Sequence, residues 1–244
     1  MATVTYRAAW RPRAYVRVKG PDAAEFLQRM LSNDVTEGDE VDALLLTSKA
    51  RLIAPLRVQR RDADDFLLLT EPELGEAVRT TLLRARFAAK CEIEPEQHTS
   101  TLVWTDEEGF AGAREELDAD VEPNVDAAEL ERLRIEQGVP AWGKELDETI
   151  LPAEAGLDVT HISFTKGCYP GQEPIARLHH RGHVNRRLRV LDVDSAQAGD
   201  EIRVGDKVVG RVTSAVRGRA LGYVRVDVPV DADLRVRGDR ARLH

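Results

Sequence analysis

The stretch Arg187–Gly238, RLRVLDVDSAQAGDEIRVGDKVVGRVTSAVRGRALGYVRVDVPVDADLRVRG, decides the architecture of the C-terminal quarter of the chain. Short apolar-rich runs at Arg187–Val193, Glu201–Val204, Lys207–Ser214, Ala220–Val226 and Leu234–Arg237 are broken by Gly199, Gly205, Gly218 and Gly238. No helical periodicity intervenes, and glycine-punctuated runs of this length predict strands. The spacing predicts a small antiparallel β-barrel of about 60 residues. Composition changes just ahead of it, at Gly182–Asn185, which sets a boundary between residues 1–182 and 183–244.

Upstream, helix and strand signals come in clusters rather than in strict alternation, the mark of an α+β region. Pro21-Asp22 opens a first helix whose Ala23, Phe26, Leu27, Met30 and Leu31 share a face, and Asn33 can end it. Pro72 opens a second helix with Leu74, Val78, Leu82 and Ala85 on one side. Asp126 caps a third, with Glu129 three residues on and Gly138 as its stop. Ala14–Val18, Ala43–Thr47, Leu52–Gln59, Phe66–Thr70 and Ser100–Trp104 read as strands. Residues 1–182 are therefore expected to form two modules, joined by an acidic linker near residues 106–125.

Charge is unevenly spread. The 244 residues carry 35 Lys and Arg against 43 Asp and Glu, a net charge of −8. That balance argues against a general nucleic-acid coat, and so against direct tRNA binding. Eleven acidic residues fall between Asp106 and Glu131, against one base, Arg114. Five arginines and three histidines, with no acid, fall between Arg177 and Arg189. This basic run suits a polyanion, or equally a solvated hinge. His179 and His183 have a metal-compatible spacing, but Gly182 and the surrounding arginines oppose it, so no metal site is expected. No apolar run approaches the ~18 residues of a spanning helix, and MATVTYRAAWRPR has no apolar signal core. The expected compartment is the cytoplasm, with no membrane partner.

The densest chemical signal is Lys166-Gly167-Cys168-Tyr169-Pro170-Gly171-Gln172-Glu173. Pro170-Gly171 predicts a turn, since Pro fixes φ and Gly accepts a positive one. Gly167 frees the backbone before the thiol. Lys166 is expected to favour the thiolate, the reactive form of Cys168. From local chemistry alone, Cys168 is open between a presented nucleophile and a small buried hydrophobe. Cys91, in Ala88–Ile93, lacks such surroundings and reads as a core residue.

Continued through Ile175-Ala176-Arg177, this run resembles the K-G-C-[FY]-x-G-Q-E-x-x-x-R signature of the YgfZ family, folate-binding proteins related to the T-protein (aminomethyltransferase) of the glycine cleavage system. The resemblance extends to Val16–Val35, to Arg134–Gly138 with Gly143–Glu145, to Leu151–Leu157, and to Gly210–Ser214 and Ala220–Arg225. It is weakest over Asp106–Val125.

The resemblance implies α+β modules and a C-terminal barrel in a ring around a folate site. It implies tetrahydrofolate or a related reduced folate as ligand. It also implies a role in iron–sulfur cluster assembly or repair, with iron–sulfur proteins or their assembly factors as partners, extending to cluster-dependent enzymes such as those that modify tRNA. Cys168 and Lys166 would then be the working pair, with Gly167, Tyr169, Gly171, Gln172, Glu173 and Arg177 completing the motif.

By the same resemblance, Glu136 would bind the pterin, whose edge offers an amine and a ring N–H to one carboxylate. Arg181 and Arg186 are expected to meet the carboxylates of the glutamate tail. The alternative is aminomethyl transfer of T-protein type. The T-proteins carry an acidic pair where this chain aligns Ala54-Pro55, and neither residue can act as an acid or base.

Overall fold

The computed structural model describes residues 6–244. The N-terminal residues 1–5, part of the stretch searched for a signal core, lie outside the described residues. In chain order the strands and helices are β1 (Tyr6–Trp10), β2 (Ala14–Lys19), α1 (Ala23–Met30), β3 (Glu40–Leu46), β4 (Leu52–Asp62), β5 (Asp65–Thr70), α2 (Gly75–Ala85), β6 (Glu92–Glu96), β7 (Ser100–Thr105) and β8 (Arg114–Leu117). They continue with α3 (Ala127–Glu136), α4 (Gln172–Arg181), β9 (Arg186–Val193), β10 (Glu201–Val204), β11 (Lys207–Val216), β12 (Gly218–Arg225), β13 (Leu234–Val236) and β14 (Asp239–Leu243). Among the described residues, no helix is long and apolar enough to cross a membrane.

Internal contacts divide the chain into two discontinuous units. One, the cysteine-loop unit, comprises Pro12–Thr99 and Glu148–His183. The other, the barrel unit, comprises the segment ending at Arg11, Ser100–Asp147 and Val184–His244.

The cysteine-loop unit is built on a five-stranded antiparallel sheet of order β3-β4-β5-β2-β6. β5 is buried along its whole length, as its unbroken apolar run demands. α1 buries Ala23, Phe26 and Leu27, and α2 buries Val78 and Leu82. Pro72 opens a short 3₁₀ turn that leads into α2. Cys91 is buried just before β6, as its setting suggests. Pro55 is tolerated in β4 because the β4–β5 ladder begins only at Arg57↔Leu69. Its missing N–H therefore faces no β5 partner, and its carbonyl accepts from the Thr70 hydroxyl at 2.9 Å.

The barrel unit holds the predicted barrel, closed in the order β10-β11-β12-β9-β14-β13, with Leu191, Ile202, Ala220, Leu234 and Val236 fully buried inside. A three-stranded sheet, β1-β7-β8, and α3 complete it. The Asp126 side chain caps α3 by accepting from Glu129 N at 2.8 Å, and Gly138 follows the helix at φ +72°. The acidic stretch is no free linker, because residues 114–117 pair with β7 as β8. Glu115 is buried there and accepts from the Ser100 hydroxyl at 2.5 Å.

Candidate functional site

Cys168 is exposed, on the loop that leads into α4. The loop is held from both sides. On its C-terminal side, Gln172 N donates to Tyr169 O at 3.2 Å, and Gly171 has φ +86° and ψ 0°. These values close a type II turn with Pro170 at its second position and Gly171 at its third. A Cβ on Gly171 would lie 2.7 Å from Thr47 O and 3.0 Å from the Ala50 Cα. Glycine is thus required twice, by its dihedral angle and by the turn packed against it.

On the N-terminal side the anchor is Lys166. Its ammonium donates to Leu31 O and Asn33 O, each at 2.7 Å, and to Gln28 Oε1 at 3.4 Å. Leu31 is the C-cap of α1, so its carbonyl lies where a helix lacks internal donors and favours a cation. Gln28 Oε1 also accepts from Val35 N at 3.0 Å. Ser163 N donates to Ser32 O at 3.0 Å, while the Ser32 hydroxyl donates to His161 O at 2.6 Å and accepts from Leu44 N at 2.8 Å. The Leu31–Val35 segment, which sequence alone marks only as the end of a helix, is thus the seat of the cysteine loop.

This geometry revises the role expected of Lys166. Its donors go to α1 and the following segment, so it anchors the loop on which Cys168 is exposed. Only 9% exposed, it has its proton affinity pushed down to about 8 by burial, with Asp34 opposing the shift. Gly167 is also revised: a Cβ there meets nothing within 4 Å, so it leaves open space beside the cysteine rather than relieving strain.

Tyr169 is buried, with its ring centroid 5.6 Å from the Lys166 ammonium. Its hydroxyl has no hydrogen-bond partner among the described residues, and burial pushes its pKa up to about 12. Gln172 and Glu173 form the first turn of α4, with Glu173 exposed where a helix favours negative charge. Arg177 and Arg181 are exposed on the same helix. The imidazole of His179 stacks on Phe164, with ring centroids 4.0 Å apart. The basic run is therefore divided: Arg177 and Arg181 on α4 belong to the cysteine-loop unit, while Arg186, Arg187 and Arg189 on β9 belong to the barrel unit.

In the barrel unit, Glu136 ends α3, and both its carboxylate oxygens accept from Arg132 Nη1, at 2.7 and 2.9 Å. The Arg186 guanidinium lies 4.8 Å from the centroid of the Tyr223 ring. Two residues before Glu136, Arg134 points the other way and is buried. It donates to Glu131, to Glu145 Oε2 at 2.9 Å, to Val139 O at 3.1 Å and to Ser214 Oγ at 2.8 Å. Ser214 Oγ donates to Glu145 Oε1 at 2.6 Å, and the Tyr223 hydroxyl donates to Glu145 O at 2.8 Å. Three stretches that carry the resemblance, around Arg134, Gly143–Glu145 and the β11–β12 hairpin, are thus joined by one buried network.

Known proteins share this arrangement. Residues 185–244 match the family described as CAF17, C-terminal beta-barrel domain. The human mitochondrial iron–sulfur cluster assembly factor IBA57 is 30% identical over 255 residues, covering 77% of this chain and 68% of that protein. This chain belongs to the YgfZ/IBA57 family. Within the family, the tRNA-modifying protein YgfZ of Shigella dysenteriae is 26% identical over 95% of this chain and 89% of its own length. The fold is that of the T-protein: the glycine cleavage system aminomethyltransferase of Bartonella henselae superposes with a TM-score of 0.84 over 99% of this chain and 85% of that one, at 19% identity. Against that fold, Ala54 is fully buried and Pro55 bonds only through its carbonyl, so this part of β4 presents no carboxylate.

Proposed function

We propose that this member of the YgfZ/IBA57 family binds a reduced folate and serves the assembly or repair of iron–sulfur clusters. Cluster-dependent enzymes, such as those that modify tRNA, would be the beneficiaries. The observation that carries this reading is the presentation of Cys168. The residue is exposed, while Lys166 two positions before it and Tyr169 directly after it are buried. A thiol held in this way can act as a nucleophile or take up a metal cargo without the loop collapsing over it. The names of the relatives support the reading: one is an iron–sulfur cluster assembly factor and another a tRNA-modifying protein.

Glu136 is the proposed contact for the pterin edge. Arg132 holds its carboxylate in place, and each oxygen keeps acceptor capacity for a ligand N–H. Arg186, in the same unit, is the proposed contact for a tail carboxylate. The partners would be iron–sulfur proteins or their assembly factors in the cytoplasm, with tRNA reached through client enzymes.

The second reading, aminomethyl transfer, draws on the T-protein fold. Ala54 and Pro55 oppose it, since neither can move a proton.

A titration of the purified chain with tetrahydrofolate tests the reading, paired with an assay of a cluster-dependent enzyme. Glu136→Ala should weaken folate at least about tenfold, the loss of roughly one charge-assisted hydrogen bond. Cys168→Ala should leave folate affinity intact and abolish support of the client enzyme. Folate binding indifferent to Glu136→Ala, or support that survives Cys168→Ala, overturns the corresponding half. Aminomethyl transfer to a lipoyl carrier at ordinary enzymatic rates, ~1 per second or more, would instead establish the second reading.

A further inference from the structure

The outer face of the barrel contains a local conflict that the folate and cysteine readings do not use. β10 lies between β11 and β13. Ile202 faces the interior and is fully buried, which leaves Glu201 and Arg203 on the outside. In register, Glu201 opposes Arg211 on β11, and Arg203 opposes Arg235 on β13. Directly opposed residues of an antiparallel pair hold their Cβ atoms about 5 Å apart, and like charges so placed are destabilising.

A second cost sits beside the first. In the tight turn between β13 and β14, Arg237 has φ +53° and is followed by Gly238 at φ +92°. Asn or Gly relaxes that first position, whereas a long side chain there is strained. Both arginines, with Arg203 and Arg211, line one recess of about 500 Å³. Arg211, Arg235 and Arg237 are exposed, and Arg203 is half-buried.

The recess also holds Asp200 and Glu201, and no apolar side chain lines it. Glu201 accepts from Arg203 at 2.6 Å, and Asp200 lies 4.0 Å from Arg237. Asp233 accepts from Arg235 at 3.2 Å. Arg211 donates through Nη1 to Gly199 O at 2.8 Å. Four guanidinium groups thus face three carboxylates, Asp200, Glu201 and the adjoining Asp233, a local positive excess in a chain whose net charge is −8. Unfavourable local choices that converge on one place are expected where a ligand repays them.

We propose that this recess binds an oligophosphate group, the triphosphate of a nucleotide or inorganic polyphosphate, through charge and guanidinium forks and without recognition of a base. Guanidinium forks match phosphate oxygens two at a time. A compact oligophosphate brings several negative charges into one recess. An extended acidic peptide points successive side chains to opposite sides and brings only alternate ones. The lining holds no aromatic or apolar residue and no free backbone edge that would select one base over another, so the phosphates carry the recognition.

The test is calorimetric titration of the full chain with sodium tripolyphosphate, ATP, adenosine and triglutamate, at low and moderate salt. Tripolyphosphate and ATP should bind alike, more weakly as salt rises, and adenosine should not bind. The double variant Arg203→Gln/Arg235→Gln should weaken both ligands at least about tenfold. Its ligand-free melting temperature should stay level, because the opposed charges are lost together with their partly exposed pairs to Glu201 and Asp233. Arg225→Gln, which removes a barrel arginine paired with Asp227 outside the recess, should leave binding unchanged. The proposal is overturned if tripolyphosphate fails to bind at low salt, if triglutamate binds as well, if Arg225→Gln loses as much as the double variant, or if ATP exceeds tripolyphosphate tenfold.

Discussion

Among the described residues each unit buries one cation, Arg134 or Lys166, and the two are accommodated in different ways. In the barrel unit, Arg134 meets two carboxylates, Glu131 and Glu145, and a hydroxyl. In the cysteine-loop unit, Lys166 meets two backbone carbonyls and an amide oxygen. The first is a charge pair that welds α3 to the β11–β12 hairpin. The second is a charge whose hydrogen-bond partners are all dipoles, with the Asp34 carboxylate acting on it without a hydrogen bond, and it fastens a loop to the end of a helix. Arg134 is buried against carboxylates, whereas Lys166 is buried against dipoles, and burial lowers its proton affinity to about 8. The difference suits the tasks. A weld carries fold stability, and a latch positions an exposed thiol.

The largest effect should come from breaking the weld. Glu145 has a fully buried side chain that accepts from Arg134, Ser214 and Ala141 N. Glu145→Ala should cost about 2–4 kcal/mol in denaturant unfolding, because it takes the buried acceptor from Ser214 Oγ and Ala141 N and leaves Arg134 with Glu131 as its one carboxylate. Arg134→Met/Glu145→Leu together should recover much of that loss, since an apolar pair of similar volume removes both charges. If Glu145→Ala costs under 1 kcal/mol, the two cations do not differ as argued.

That network also marks what the sequence could and could not tell. The barrel was legible because its strands are short, glycine-punctuated and free of competing helix signals. The capped helix at Asp126 was legible for an equally local reason. β6 (EIEPE), β8 (REEL) and β14 (DRARL) were not, because each is short and charged and gains its strand character from a neighbour. α4 was missed because Pro174 and Gly182 bracket a basic stretch that reads as a hinge, although Pro in the first turn of a helix is well tolerated. Lys166 stands two residues from Cys168 and so reads as its partner. Its actual acceptors lie more than 130 residues upstream, a pairing that no local pattern encodes. Local chemistry leaves Cys168 open between presentation and burial, and only the resemblance favours presentation; the means by which the loop is held is not legible at all.

A smaller effect should come from titrating the latch. In the folded protein Lys166 gives up its proton near pH 8, against an ordinary value of 10.5. Burial therefore opposes the ammonium, and below pH 8 this group opposes folding by its full amount. As pH rises from 8 towards 10.5, the unfolded chain still binds a proton that the folded protein has released, so the opposition fades. Compared with Lys166→Met, the wild-type chain should gain ~1–2 kcal/mol of relative stability between pH 7.5 and 9.5, because a tenfold change in proton affinity is worth about 1.4 kcal/mol. Compared with Glu145→Ala, which keeps Lys166, the wild-type chain should show no such relative gain. Parallel pH profiles for wild type and Lys166→Met would mean that the latch is hydrated rather than buried.

The smallest expected effect separates the two cysteines, and it bears most directly on function. Both lie in the cysteine-loop unit, Cys91 buried and Cys168 exposed. Burial pushes the Cys91 thiol up, away from its reactive form. Cys91→Ser puts a hydroxyl into an apolar site and should cost about 1 kcal/mol or more. Cys168→Ser exchanges one exposed polarizable atom for another and should change stability by no more than about 0.5 kcal/mol. Iodoacetamide under native conditions should therefore label Cys168 first, with Cys91 reacting only at the rate at which the unit opens. Mass spectrometry of the labelled peptides separates the two. If Cys168→Ser destabilises as much as Cys91→Ser, or both thiols are labelled together, then the anchored loop does not hold its cysteine apart from the core, and the latch does no more for function than the weld.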